Sequence, residues 1–182
     1  MGLNDKQLLD AVRTHDETAL RTLVDTYYPD ILSYVCYKTR YHSEAYDITQ
    51  NTFLKFFSHI DEYHENGKLK NYLLTIASHE VASWYRREQR HQHQDIEQIQ
   101  EPAIQEARLN KSDLMYWIDQ LPDQQGEIIL LTYFQQVKGR DIAKLLDIPY
   151  PTMKSRLRAG LKQLRKLMKE GDRIESIAEF HS

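Results

Sequence analysis

The sequence predicts an all-α protein: two small helical domains joined by a flexible polar linker, the second carrying a helix-turn-helix. Three observations support this. Glycine and proline are scarce, 6 and 5 in 182 residues, and strand-like alternation is absent. Apolar residues recur instead at the helical period of 3.6. One stretch breaks the pattern, HQHQDIEQIQEPAIQE from His91 to Glu106, which is rich in Gln, His and acid, has Ile as its one large apolar residue type, and contains Pro102. That composition suits an exposed linker.

The periodicity places helices over residues 4–14, 16–38, 44–61 and 69–91, then 109–119, 123–136, 139–146 and 152–169. Domains are expected at 1–90 and 108–170, with the linker at 91–107 and a tail, 171–182, to which the sequence assigns no role. No apolar run approaches the ~20 residues that span a bilayer. The N-terminus, MGLNDKQLLDAV, has neither the basic start nor the apolar stretch of a secretory signal, and the one cysteine, Cys36, has no internal disulfide partner. A cytoplasmic protein is expected.

In the helix over 44–61, Ala45, Ile48, Thr52, Phe53, Phe56 and Ile60 form one stripe. Asp47, Gln50, Asn51 and Leu54 lie opposite, at i, i+3, i+4 and i+7. A leucine among a carboxylate and two amides suggests a partner surface, although a single exposed leucine is ordinary. The next segment, KLKNYLLTIASHEVASWYRREQR, interleaves Tyr72, Trp84 and Tyr85 with Lys68, Lys70, Arg86, Arg87 and Arg90. Rings and cations together suit an unpaired strand of nucleic acid. Burial of Trp84 or Tyr85 in the core is the competing reading.

In the second domain, Leu121-Pro122 starts a helix whose Ile128, Leu131, Tyr133 and Phe134 are expected in the core. Ile142, Ala143 and Leu146 face inward on the next helix. Asp147-Ile148-Pro149 supplies a turn, since Asp tolerates a left-handed conformation and Pro stops the helix. Thr152 is the expected N-cap of the last helix. That helix places Met153, Leu157, Gly160, Leu161, Leu164, Leu167 and Met168 on one stripe. Lys154, Ser155, Arg158, Lys162, Arg165 and Lys169 lie opposite, with no acid between Lys154 and Lys169. Gly160 on the inward stripe permits close helix approach.

Net charge is −3, yet Lys138–Lys169 carries +8 and the rest −11. One face packs and the other offers cations to a polyanion, the layout of a helix-turn-helix entering a DNA groove. Lys154, Ser155 and Arg158 near the helix start suit base edges; Lys162, Arg165 and Lys169 suit phosphates. Arg156, beside the apolar stripe, suits either an intradomain role or a phosphate. No Gly-rich phosphate loop or nucleophile motif occurs, and His91 and His93 lack partners at metal-ligand spacing. No catalytic residue, metal, cofactor or small-molecule substrate is therefore expected, and the protein is not expected to be an enzyme.

Both domains together resemble the extracytoplasmic-function sigma factors of bacterial RNA polymerase. The resemblance runs through AYDITQNTFLKFF and YLLTIASHEVASWYRR, then LPDQQGEIILLTYF and DIAKLLDIPYPTMKSRLRAGLKQL, over roughly residues 5–168. It implies a subunit that directs promoter-specific initiation by binding core RNA polymerase and promoter DNA. Asp47, Gln50, Asn51 and Leu54 would face the coiled-coil clamp of the largest subunit. Ser78, His79 and Glu80 would lie in a loop that captures a flipped −10 base, with Trp84, Arg86 and Arg87 on the helix behind it. Lys154, Ser155, Arg156, Arg158 and Lys162 would read the −35 element. The linker would thread the RNA-exit path.

Relatives are commonly held inactive by a dedicated, often membrane-bound anti-sigma factor, so such a partner belongs to what the resemblance implies. Ser78-His79 stands where Arg-Asn is usual, Ala159 and Gly126 where cations are frequent, and Asp147 where the turn usually has Gly. The first departure bears on the −10 preference and the next two remove expected cations; together they leave the architecture intact and the promoter sequence open. The alternative is a free-standing helix-turn-helix regulator whose first domain senses a ligand or dimerises.

Overall fold

A computed structural model describes residues 4–40, 42–92 and 113–179, with side chains given for fewer at the segment ends. The chain divides into two compact units, Met1–Gln105 and Glu106–Ser182. Most of the expected linker lies outside the described residues, as does the end of the tail.

The first unit contains α1 (Asp5–Arg13), α2 (Glu17–Lys38), α3 (Ala45–Ser58) and α4 (Leu69–Gln92). Asn4 caps α1 reciprocally: its side chain accepts from the Gln7 N–H at 2.9 Å, and Gln7 accepts from the Asn4 N–H at 3.1 Å. The Asp16 carboxylate caps α2, accepting from Thr18 and Ala19 at 2.8 and 3.1 Å. Such caps contribute about 1 kcal/mol each. Leu9, Leu23, Ile31, Tyr34, Phe56, Leu73 and Leu74 form the shared centre, each fully buried. Every residue of the expected α3 stripe, Ala45 to Ile60, is inside. Arg13 on α1 donates to the carbonyls of Ile60 and Tyr63 in the α3–α4 connection, fastening its two ends of sequence together.

The second unit contains α5 (Asp113–Asp119), α6 (Asp123–Ile129), α7 (Gly139–Leu145) and α8 (Tyr150–Glu179). α6 runs into one π-helical turn, Leu130–Phe134, in which the Gln135 N–H donates to the Leu130 carbonyl at 3.0 Å. Ile128 and Leu131 are buried as expected, but Tyr133 is 56% exposed and Phe134 only half-buried. A π turn adds a residue per turn and rotates the side chains that follow.

The α7–α8 turn has Asp147 at φ 50°, left-handed, with the Ile148 N–H donating to the Ala143 carbonyl at 2.9 Å. Thr152 is not the cap of α8. The helix already begins at Tyr150, and the Met153 N–H bonds the Pro149 carbonyl at 3.0 Å. The prolines at 149 and 151 fall where helix donors have no partner anyway, so the earlier start costs little. Gly160 packs α8 on α6: a Cβ there would lie 3.1 Å from Gln125 Cβ and Ile129 Cδ1. That proximity outweighs the ~1 kcal/mol helix penalty of glycine.

Candidate polymerase and nucleic-acid surfaces

On α3, Asp47, Gln50, Asn51 and Leu54 are all exposed, and Leu54 is 65% exposed. The opposite stripe anchors the helix, with Phe56 meeting Phe57, Tyr63 and Tyr72 at ring separations of 5.4 to 6.2 Å. Sequence reasoning missed Tyr46, 45% exposed, which adjoins this patch one residue before Asp47. It stands four residues before Gln50, so helical spacing was the available signal.

On α4 the expected set separates into a surface and its supports. Ser78, His79 and Glu80 lie inside the helix, not in a loop, because the helix runs unbroken from Leu69 to Gln92. His79, Arg86 and Arg87 are exposed and Ser78 half-buried. Glu80 instead turns inward, 8% exposed, and accepts from Lys55 Nζ of α3 at 2.5 Å. Trp84 is also inside, 4% exposed, with its ring 5.0 Å from that of His42. Its indole N–H has no hydrogen-bond acceptor among the described residues.

The outward face of α4 carries His79, Ala82, Arg86 and Arg90 at three- and four-residue spacing, while Tyr72 and Thr75, in line with them, are half-buried. Arg86 donates to Ser83 Oγ at 2.9 Å, and Arg90 to the Arg86 carbonyl at 3.1 Å. Tyr85, half outside, donates its hydroxyl to the Lys38 carbonyl at the end of α2, at 2.7 Å.

On α8, Lys154, Ser155, Arg158, Lys162, Arg165 and Lys169 are exposed, whereas Arg156 is half-buried. Met153 and Leu164 anchor the inward side. Met168, expected on that stripe, is 37% exposed. Sequence reasoning also missed Tyr150, 40% exposed, whose ring lies 5.7 Å beneath Lys154 Nζ. The i, i+4 spacing of an aromatic and a cation was the available signal. Gly139 at the start of α7 leaves room for these residues, since a Cβ would fall 2.6 Å from Met153 Cε and 3.2 Å from Tyr150 Cε2.

Among the described residues no three His, Cys, Asp or Glu side chains gather to hold a metal, and no helix is long and apolar enough to cross a membrane.

Two family descriptions match the chain in succession: Sigma-70 region 2 over residues 23–91 and Sigma-70, region 4, over residues 112–164. The two regions together take in most of the chain, which belongs to the sigma-70 factors. This sigma factor is 26% identical over 168 residues to RNA polymerase sigma factor YlaC of Bacillus subtilis (strain 168), covering 87% of this chain and 97% of that one. It is 26% identical over 188 residues to the ECF RNA polymerase sigma factor SigW of the same organism, covering 93% and 100%. Among solved structures it is similar to the sigma factor RpoE in complex with the anti-sigma factor NepR from Bartonella quintana. The TM-score is 0.70 at 25% identity, over 82% of this chain and 96% of that one. CnrH, solved with the cytosolic domain of CnrY, shares the fold at a TM-score of 0.67 and 16% identity, over 91% and 97%.

As a sigma factor, the protein binds core RNA polymerase and promoter DNA and directs promoter-specific transcription. The free-standing regulator is not favoured, because both regions of a sigma factor are present in order.

Proposed function

We propose that the three surfaces divide the work of initiation. Asp47, Gln50, Asn51 and Leu54 on α3 dock on the coiled-coil clamp of the polymerase's largest subunit. His79 and Arg86 on the outward face of α4, flanked by Ser78 on one side and Arg87 on the other, take the opened −10 strand, while Glu80 and Trp84 hold that face in place from beneath. Lys154, Ser155, Arg156, Arg158 and Lys162 on α8 read the −35 element in the major groove, and Arg165 and Lys169 meet phosphates. The first two tasks belong to residues 1–90 and the third to 108–170, with 91–107 spanning them through the RNA-exit path.

The observation that carries this reading is Leu54, 65% exposed in the middle of a polar face whose reverse side is fully packed. A large apolar side chain placed so gains most by burial against a partner. The protein performs no bond chemistry itself and works in the cytoplasm, where polymerase and promoter are. A dedicated anti-sigma protein restrains it, as the similar RpoE is found bound to NepR.

The test is capture of purified core polymerase by the intact chain. Leu54→Asp should abolish capture while leaving the helical circular dichroism spectrum and melting temperature unchanged. Undiminished capture by that variant would contradict the docking assignment.

A further inference from the structure

Tyr150 opens α8 at the border between its two sides. Lys154 and Arg158 follow it at steps of four residues, so the three stand one above another along the helix. The packed stripe begins beside them with Met153, which is buried, whereas Tyr150 is exposed. The ring is held more closely than its exposure requires. Pro149 and Pro151 flank it, and each fixes its own φ, which stiffens the backbone that carries the ring. Gly139, where α7 begins, makes room for the ring's edge. A Cβ there would lie 3.2 Å from Tyr150 Cε2 and 3.8 Å from its hydroxyl oxygen.

The same ring meets a cation. Lys154 Nζ stands 5.7 Å from the ring centroid, within the range at which a π face attracts an ammonium. The surroundings are cationic as well. Arg140 and Lys144, both exposed on α7, line one hollow with Tyr150, and Asp147 of the turn is the acid among them. Ring and ammonium thus lie between the exposed cations of α7 and those of α8, on the side a polyanion would approach.

A lysine is by itself a poor reader of bases. Its ammonium is a compact charge on a flexible four-carbon stem, free to move to whichever phosphate lies nearest. Guanine is picked out by a donor held at its O6 and N7 edge. The neighbouring Ser155 turns its hydroxyl back on its own helix, donating to the Thr152 carbonyl at 2.9 Å. Lys154 is the one cation among residues 150–155, the stretch in which a recognition helix meets base edges.

We propose that Tyr150 is a positioning residue for −35 recognition. Its ring holds the Lys154 ammonium at one place, so that the cation selects guanine at one base pair instead of serving phosphates at large. The proposal rests on the assignment of α8 to the −35 element and deepens it by naming what directs the lysine. Because the ring carries no charge, losing it removes a preference without removing an ionic contact.

Holoenzyme is reconstituted from core polymerase and the full-length chain, on a promoter first located by its own transcription starts. Each −35 base pair is varied in turn, and relative affinities are measured in competition. Lys154→Ala should abolish the preference at one base pair and so identify it. Tyr150→Leu keeps apolar bulk against Gly139 but has no π face. It should lower the preference at that same base pair about two- to fivefold, the size of an exposed cation–π contact. The other positions, the salt slope and the melting temperature should be unchanged. Tyr150→Phe keeps the π face and should retain the preference. Tyr150→Leu added to Lys154→Ala should change nothing further at that base pair, because the two side chains act as a unit.

If Tyr150→Leu retains the full preference that Lys154→Ala loses, the positioning role fails and the α8 assignment stands. A Lys154→Ala chain with every base preference intact would overturn the assignment of Lys154 to base reading, and this proposal with it. Equal losses with Tyr150→Phe, losses spread over all −35 positions, or additive losses in the double variant would also overturn it. Each would assign the effect elsewhere: to the hydroxyl, to the fold or to a separate contact.

Discussion

α3 and α8 are both two-sided helices with packed inner stripes, and their outer sides differ in kind. α3 shows a carboxylate, two amides and a leucine; α8 shows Lys154, Arg158, Lys162, Arg165 and Lys169 without an intervening acid. A face with an apolar centre and little charge gains by excluding water, which ordinary salt hardly changes. A cationic face gains by releasing counterions from a polyanion, and that gain falls steeply as salt rises. The two outer faces therefore sort the partners: protein for the first, nucleic acid for the second.

The comparison also holds within α8 itself, where base reading and phosphate gripping are assigned to successive turns. Arg158→Ala should cost about 1–3 kcal/mol and relax the choice of base at one −35 position, as for a bidentate pair with guanine. Competition among −35 variants in promoter binding would show it. Arg165→Ala should cost less, weaken all promoters alike, and lower the salt slope by about 0.9. Equal, sequence-blind losses for both would mean that the reading face has been misplaced.

A smaller effect separates the two units. In the first, Tyr27, Tyr28 and Tyr63 hold their hydroxyl protons above the ordinary tyrosine value of 10.0. Burial is the largest cause in each case; the hydrogen bond to Asp5 follows for Tyr27, and the Glu65 charge for Tyr63. The fold favours the neutral phenol, so this stabilisation is fully present below about pH 10 and is lost as pH rises above it. Thermal melts from pH 8 to 11 should show the first unit losing stability above pH 10. Tyr27→Phe should make that decline shallower. A first unit indifferent to alkali would contradict the burial described for these phenols.

The legible parts of the chain were those governed by local pattern. The α3 stripe, the left-handed Asp147 and the close approach at Gly160 follow from helical period, turn chemistry and side-chain size, which act within a few residues. What the period cannot give is the width of the buried arc. α4 packs against both α2 and α3, so its inner side takes in Trp84 and Glu80, which pattern alone leaves at the border. Tyr133 was misplaced because a π turn changes the phase of α6, and Met168 because the α8 stripe continues after its buried anchor at Leu164. The approach of Gly139 to Tyr150 was invisible in the sequence. It joins the start of α7 to the start of α8 only in the folded unit.

Transcription by purified core polymerase, with start sites mapped on genomic DNA, tests the central claim most directly. Addition of the intact chain should produce initiation at a defined set of positions preceded by common −10 and −35 sequences, and the Leu54→Asp chain should produce none. Starts no different from those of core polymerase alone, or a Leu54→Asp chain as active as the unaltered one, would contradict it.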